Sequence, residues 1–482
     1  MKQLYPLLLL FLSSSLCAQS YQLQVQNGYG SGSYEAGDTV FIFSRELGEL
    51  EAFRDWTFDQ SSIEFLADEG EWRLAFKMPA TDLMCRAQID TLPADFLQLE
   101  NIPAINTEKP VYSTFPPNPK GSVFLFHGTS GSAAGWIGLR KEQNYSFLKD
   151  LYQAGYGVIV TESEESTLNR DLNGDGKIRW LSYPIDTLNN IDYQNMKVVI
   201  DTFQARGLLD RNSLFSAGMS SGGSFSGTFS VAFGTKASAI YGASSQLVIA
   251  QNGTTPLLFC MMPRDEIIGE QGNEDARTYH QMLLDRGICS QYFENIPFPL
   301  YPEYFQRTGL DVSSSMALYT ELDANNWLDA KGFVKGPAED ILADVLAQAS
   351  NWPNFRSLTP GQRVAAANLI DLAHGGHKFF SNHNKRTIQF FDKACDGPST
   401  STSEAGTIAP KIIAIPNPSQ ASIQLQGLEA PFDYELFDGQ GRLLKKGRLL
   451  QNTSIDDLPS GGLFFLQLQK EGQSHCIKLL RW

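Results

Sequence analysis

Ten residues constrain this chain more than any others: Leu214-Phe215-Ser216-Ala217-Gly218-Met219-Ser220-Ser221-Gly222-Gly223. A short apolar run ends in Gly-x-Ser-x-Gly, and the small-residue stretch Ser224 to Phe233 that follows is compatible with a helix. This layout predicts a strand that feeds a strained turn, with Ser220 at its tip and a helix leaving it. Glycines flank the serine because a Cβ there would collide with the neighbouring strand and helix. With 41 glycines in 482 residues the pattern is weak alone, so the rest of the chain must supply what a reactive serine needs.

A serine hydroxyl is a poor nucleophile until a base takes its proton and a third group orients that base. Six histidines are available. His475 and His280 fall far from any expected sheet edge, and His383 falls within a closing helix. His127 directly follows a strand and precedes the serine, which suits a loop that holds a developing oxyanion. His374 and His377 remain, in the glycine-rich loop Ala373-His374-Gly375-Gly376-His377, and His377 is the better placed. The orienting acid should follow a strand between serine and histidine. Asp265 does so, just beyond Pro256-Leu257-Leu258-Phe259-Cys260-Met261, with Glu266 as the alternative. The oxyanion needs two backbone N–H donors, and Ser221 and Thr129 are the candidates, Thr129 from the small-residue loop His127 to Ser132. Trp136 reads either as a wall of the substrate pocket or as a core residue.

Around these residues the pattern from about 98 to 397 alternates strands with helices. Val123 to Phe126, Tyr156 to Val160, Leu214 to Ala217, Ala239 to Tyr241 and Leu257 to Met261 are short apolar runs, and Met196 to Phe203 is helical. The alternation predicts an α/β fold with a largely parallel sheet covered on both faces. The stretch from about 298 to 372 breaks it, since Ala338 to Leu346 and Gln362 to Leu372 have apolar residues at helical spacing. It is expected to be a helical insertion that caps the catalytic edge. His-Gly loop, Gly-x-Ser-x-Gly, strand-end Asp265 and Gly-Gly-His377 come in the order of the α/β-hydrolase superfamily, which the region resembles over about 300 residues. Phe126-His127-Gly128 with Gly218 to Gly223 looks most like secreted esterases such as polyhydroxyalkanoate depolymerases and feruloyl esterases. The resemblance implies a serine hydrolase acting on carboxylic esters, polymeric or glycan-linked, without a cofactor. The gap between Asp265 and His377 is far longer than in those enzymes. A peptidase of the same fold and a non-catalytic surface adhesin are the rival readings.

Two small all-β domains are expected to flank this body. Residues 20–97 alternate in Tyr21 to Val25, run apolar in Thr39 to Phe43 and crowd glycines between Gly28 and Gly37, as hairpins require. Gly30 to Val40, Phe53 to Thr57 and Phe76 to Ala80 resemble the bacterial repeat modules of secreted surface proteins, which implies a spacer or a binding module. Trp56 and Trp72 read there as core residues or as a ligand platform. Residues 398–411 are a Ser/Thr-rich linker. In 412–482, Pro416 to Ser419, Tyr434 to Leu444, Leu458 to Leu466 and Lys478 to Leu480 suggest a small sandwich and closely resemble the sorting domain of type IX secretion. That resemblance implies a partner, the type IX secretion machinery, and a secreted or surface-attached product.

The N-terminus agrees with export. Lys2, the apolar run Leu4 to Leu12 and small residues near Ala18 describe a signal peptide over residues 1–19. No other stretch is long and apolar enough to be a transmembrane segment. A net charge of −15 argues against nucleic acid or an anionic membrane as partner. Five cysteines remain after Cys17, with no metal spacing, and Cys260 reads as a free buried thiol. Asp171, Asn173 and Asp175 begin like a calcium loop, but Ser182 stands where a bidentate Glu is wanted, so structural Ca2+ competes with a plain turn.

Overall fold

The computed structural model describes residues 19–66 and 71–393 and, beyond them, strands between 413 and 481. The expected signal segment, save Gln19, and the expected linker at 398–411 lie outside the described residues. The chain divides into two compact units, Met1–Pro398 and Ser399–Trp482.

An eight-stranded sheet runs through the first unit: β1 (Gln98–Pro103), β2 (Glu108–Thr114), β3 (Ser122–Phe126), β4 (Gly157–Val160), β5 (Leu214–Met219), β6 (Ala237–Tyr241), β7 (Leu257–Met261) and β8 (Ser290–Glu294). Its spatial order is β8-β7-β6-β5-β3-β4-β2-β1. The strands from β3 to β8 are mutually parallel, and β2 is antiparallel to both of its neighbours. The central strands are buried along their whole length, which explains why they read as unbroken apolar runs rather than alternating ones. Alternate residues nevertheless serve different faces. Val123 and Leu125 pack with Phe147, Leu148 and Leu151 of α1 (Glu142–Gln153). Phe124 and Phe126 pack with Met196, Val199 and Phe203 of α2 (Ile191–Ala205) and with Phe225 and Phe229 of α3 (Ser221–Phe233).

After β7 comes α4 (Gly269–Asp285), and after β8 the chain enters the helical insertion. It comprises α5 (Val312–Ala324), α6 (Ala338–Ala347), α7 (Pro353–Ser357) and α8 (Pro360–His374). Local chemistry sets its helix ends. Thr359 and Gln362 form a reciprocal capping box ahead of α8, with Pro360 at the first helical position. The Glu321 carboxylate on α5 accepts the Asn354 and Phe355 amides at 2.8 and 2.7 Å, satisfying the exposed end of α7. The insertion closes on itself where the Phe298 amide meets the Ala373 carbonyl at 3.1 Å and the Ala338 amide meets Asp371 Oδ1 at 2.7 Å. The chain then returns to the body through α9 (Asn384–Asp392).

Residues 20–91 form two sheets. One has four strands, Gly32–Glu35, Ser20–Gln26, Leu83–Thr91 and Glu51–Phe58, in that order; the other joins Gly28–Tyr29, Thr39–Ser44 and Arg73–Lys77. Their apolar residues belong to the same core as α1 and the insertion. Phe43 is the hub, with Phe298, Tyr301 and Tyr304 of the insertion at ring distances of 5.9, 5.5 and 5.4 Å. Lys149 of α1 donates to the Gly48 and Glu51 carbonyls at 2.8 and 2.7 Å. Arg307, itself paired with Glu142, lies 4.4 Å over the Trp72 ring. Trp56 and Trp72 are 7% and 5% exposed, so they are core residues and not a surface platform.

In the second unit, Leu443–Leu449, Phe432–Asp438, Gly462–Lys470 and Gln473–Arg481 make an antiparallel four-stranded sheet, and three short strands from Ile413 to Ile455 make another. Tyr434 and Leu436 are buried while Asp433 is exposed, the alternation of a sheet with one covered face.

Candidate active site

Ser220 follows β5 directly and precedes α3, with φ 58° and ψ −122°. A non-glycine residue in that region is held there against its own preference. Two backbone bonds do the holding: the Ser220 amide donates to the Tyr241 carbonyl at 2.8 Å, and the Ser224 amide donates to the Ser220 carbonyl at 3.0 Å. The turn also needs close backbone approach. A Cβ on Gly222 would lie 2.3 Å from the Phe126 carbonyl oxygen and 2.4 Å from that of His127. No side chain fits there. The expected collision of a larger residue with strand and helix is therefore found, and the nucleophile turn packs onto the end of β3.

Beyond β3, the loop from His127 runs alongside the serine. Gly128 approaches Ser220 so closely that a Cβ on it would sit 3.3 Å from the serine Cβ and 3.9 Å from its Oγ. Among the described residues the Thr129 and Ser221 amides donate to no acceptor, whereas the Ser130 amide is taken by the Ile178 carbonyl at 2.8 Å. His127 itself points inward, 3% exposed. Its Nε2 accepts the Ser163 amide at 3.1 Å, so the proton sits on Nδ1 and is donated to the Gly128 carbonyl at 2.7 Å. Burial pushes the imidazole down to about 4, and nearby Lys109 adds to the effect. His127 thus braces the loop in its neutral form.

A prediction follows from the sign of that shift. A histidine depressed in the folded state contributes stability above its ordinary value near 6.5, lost as the pH falls through about 4. The stability difference between wild type and His127→Asn should therefore be largest at pH 7 and shrink by roughly 3 kcal/mol towards pH 4. Urea unfolding across that range measures it, and a pH-independent difference would refute it.

Asp265 lies in the loop after β7, and its side chain is fully buried. Oδ1 accepts the Ile267 and Ile268 amides at 2.9 and 3.1 Å, which fixes the carboxylate and leaves Oδ2 for one partner. That partner is His377 Nδ1, at 2.6 Å. The imidazole is partly open to solvent, its side chain 16% exposed. Its Cε1 edge abuts the turn after β6, where a Cβ on Gly242 would fall 3.2 Å from Cε1 and 2.9 Å from the Met219 methyl. Gly242 has φ 57° and directly follows Tyr241, which holds the Ser220 amide. The two strand-end turns thus bring the serine's anchor and the histidine ring together.

The other candidates separate cleanly. His374 Nδ1 accepts from Arg264 at 3.2 Å and does not meet Asp265. His280 pairs with Ser290 Oγ at 2.8 Å, and His383 Nε2 donates to the Glu294 carbonyl at 3.2 Å. The side chain of His475 lies outside the described residues. The acid that pairs with His377 is Asp265, not Glu266. Trp136 is 1% exposed and packs edge-on against Phe379 at 5.0 Å, a core position rather than an open pocket wall. Cys260 is a free, buried thiol raised to about 12 by burial.

In the loop at Asp171, the carboxylate accepts the Gly174 and Gly176 amides at 2.7 and 2.8 Å. Asp175 pairs with Arg179 at 2.5 Å, and Asn173 Nδ2 donates to the same Asp175 oxygen at 3.2 Å. Among the described residues there is no group of three or more histidines, cysteines, aspartates or glutamates that could hold a metal ion.

Sequence reading missed Met219, Gly242 and the bracing role of His127. The glycine carried a usable signal, since Tyr241-Gly242-Ala243 ends an apolar strand next to the serine strand.

No family model matches the chain, and no curated protein is similar to it. Solved structures similar to it include an acylaminoacyl peptidase from Pyrococcus horikoshii, at 12% identity and a TM-score of 0.31, over 56% of this chain and 49% of that one. This chain thus spans about half the length of that peptidase. A dienelactone hydrolase from Anabaena variabilis is 14% identical, with a TM-score of 0.31, over 48% of this chain and 98% of that one. An acetyl xylan esterase from Aspergillus awamori is 16% identical, with a TM-score of 0.30, over 40% of this chain and 80% of that one. The fold itself is read from the sheet. Eight strands in this order, one of them antiparallel inside an otherwise parallel core, with a strand–serine–helix turn after the fifth, give the main body of the chain an α/β-hydrolase fold.

Proposed function

We propose that the protein is a secreted serine hydrolase that cleaves carboxylic esters through Ser220, His377 and Asp265. The observation that carries the reading is the His377 Nδ1–Asp265 Oδ2 bond of 2.6 Å, made by an acid whose other oxygen is fixed by two amides. With its proton held at Nδ1, the imidazole keeps Nε2 unprotonated and able to act as a base. Nε2 removes the Ser220 proton as Oγ attacks the ester carbonyl, then returns it to the leaving alcohol. Water, activated in the same way, releases the acid from the acyl-enzyme. The unpaired Thr129 and Ser221 amides would receive the oxyanion. No step calls for a cofactor. The signal-like N-terminus and the sorting-type blocks of 412–482 support export through type IX secretion, with polymeric or glycan-linked esters as the substrate class.

The test is turnover of p-nitrophenyl acetate together with stoichiometric labelling by a fluorophosphonate. Neither occurring would overturn the reading. Hydrolysis of peptide anilides without ester turnover would move it to a peptidase. One variant probes the geometry around the base. Gly242→Ala should place its methyl against the His377 ring and the Met219 and Met262 methyls, lowering kcat roughly 10- to 100-fold. An unchanged kcat would mean the ring is not held where this mechanism needs it.

A further inference from the structure

The loop that carries His377 has little backbone support of its own. Between Gly375 and Asn382 the backbone bonds are Gly375 to Leu372 and Asp371, Gly376 to Asp371, Lys378 to Gly376 and, at the far end, the Asn384 amide to the Ser381 carbonyl, while no amide from Phe379 to Asn382 donates to a backbone carbonyl. The loop is fixed instead by side chains. Phe379 packs on Trp136, Phe147 and Tyr241 at 5.0, 5.6 and 4.4 Å. Asn382 donates to Asn295 Oδ1 at 3.0 Å. Ser381, four residues past His377, is the junction. Its hydroxyl and its amide both donate to Gln143 Oε1, at 2.7 and 3.1 Å. The same hydroxyl accepts the indole N–H of Trp72 at 2.6 Å, a buried bond spanning 309 residues.

Trp72 belongs to the N-terminal β module, and its ring is clamped. Arg307 of the insertion lies over it at 4.4 Å, and Phe43 packs at 5.9 Å. A stiff, buried donor from one domain thus ends on a loop of another that is held mainly by side chains. We propose that Trp72 is a positioning residue for His377, acting through Ser381. The N-terminal module is therefore part of the catalytic scaffold rather than a spacer. This inference rests on the serine-hydrolase reading for its kinetic consequence, but not for its geometry.

The test uses the full chain with Trp72→Phe, which keeps an aromatic ring and removes only the donor and one ring edge. kcat for an aryl ester and the fluorophosphonate labelling rate should fall together, roughly five- to tenfold, with KM within about twofold. Ser381→Ala, a smaller truncation, should fall similarly, and the double variant should be no worse than either single one. Trp327→Phe, which removes an indole bond to Asp344 inside the insertion, should leave kcat unchanged. The downfield proton resonance of His377 Nδ1–H supplies a readout independent of turnover, and it should weaken or broaden in both Trp72→Phe and Ser381→Ala. Wild-type kcat, labelling rate and resonance in these two variants, even with lowered Tm, would overturn the proposal. A wild type that is neither labelled nor active, yet whose resonance is lost in Trp72→Phe, would sink the hydrolase reading and leave the positioning role standing.

Discussion

Ser220→Ala is expected to abolish fluorophosphonate labelling and to lower kcat on p-nitrophenyl acetate by roughly 10^6-fold, while leaving the fold intact. The second half of that statement makes the experiment decisive. The turn is held by the Ser220 amide on Tyr241 and by its carbonyl under the Ser224 amide, and alanine keeps both. Both side chains carry a Cβ, so the strain of φ 58° is the same in each. The hydroxyl itself bonds to no described residue, and its loss leaves no buried group unsatisfied. Tm should therefore stay within about 2 °C. Residual labelling in Ser220→Ala would point to another nucleophile, and a collapse in Tm would mean that the hydroxyl is structural.

The elements legible in the sequence share one property: their signal is local and their burial complete. Leu214 to Met219 and Leu257 to Met261 are buried at every position, so the apolar run alone marks the strand. The strands of this sheet that went unnoticed lie at or next to its edges. Gln98–Pro103 and Ser290–Glu294 mix charged and exposed positions because each has a single neighbour, and Glu108–Thr114, though paired on both sides, opens with Glu108, Lys109 and Pro110, which break any apolar run. The candidate site divides the same way. Ser220, Asp265 and His377 stand out in the sequence because strand ends and glycine loops announce themselves. His127 was placed correctly in its loop, but its role depends on meeting Ser163, 36 residues away. The dependence of Ser381 on Trp72 crosses 309 residues and left no local trace at all. Residues 20–97 were the larger surprise. Their resemblance suggests an appended module, and nothing in their alternation reveals that their core continues into that of their neighbour.

Removing residues 20–97 should therefore yield a chain that fails to fold, not a trimmed enzyme. Without the module, Phe298, Tyr304 and Tyr145, now 0%, 1% and 3% exposed, lose much of their cover. At about 1.5–3 kcal/mol for each large apolar side chain exposed, three such losses come to about 5–9 kcal/mol. That is comparable with the whole stability of an ordinary domain, about 5–15 kcal/mol. Polar groups add to the damage. Lys149 would lose the Gly48 and Glu51 carbonyls, and Arg307 would lose the Ser44 carbonyl and the Trp72 ring. The outcome is read from solubility, monomer content and a cooperative melt of the shortened chain beside the full one. Removing 399–482 is the matched control, because that truncation deletes no contact inside the first unit. A soluble, monomeric chain lacking 20–97 with the Tm of the full protein would show that the shared core is dispensable. If it also kept kcat, the bond from Trp72 to the His377 loop would lose its purpose, since an active chain without the indole would be positioning its base by other means.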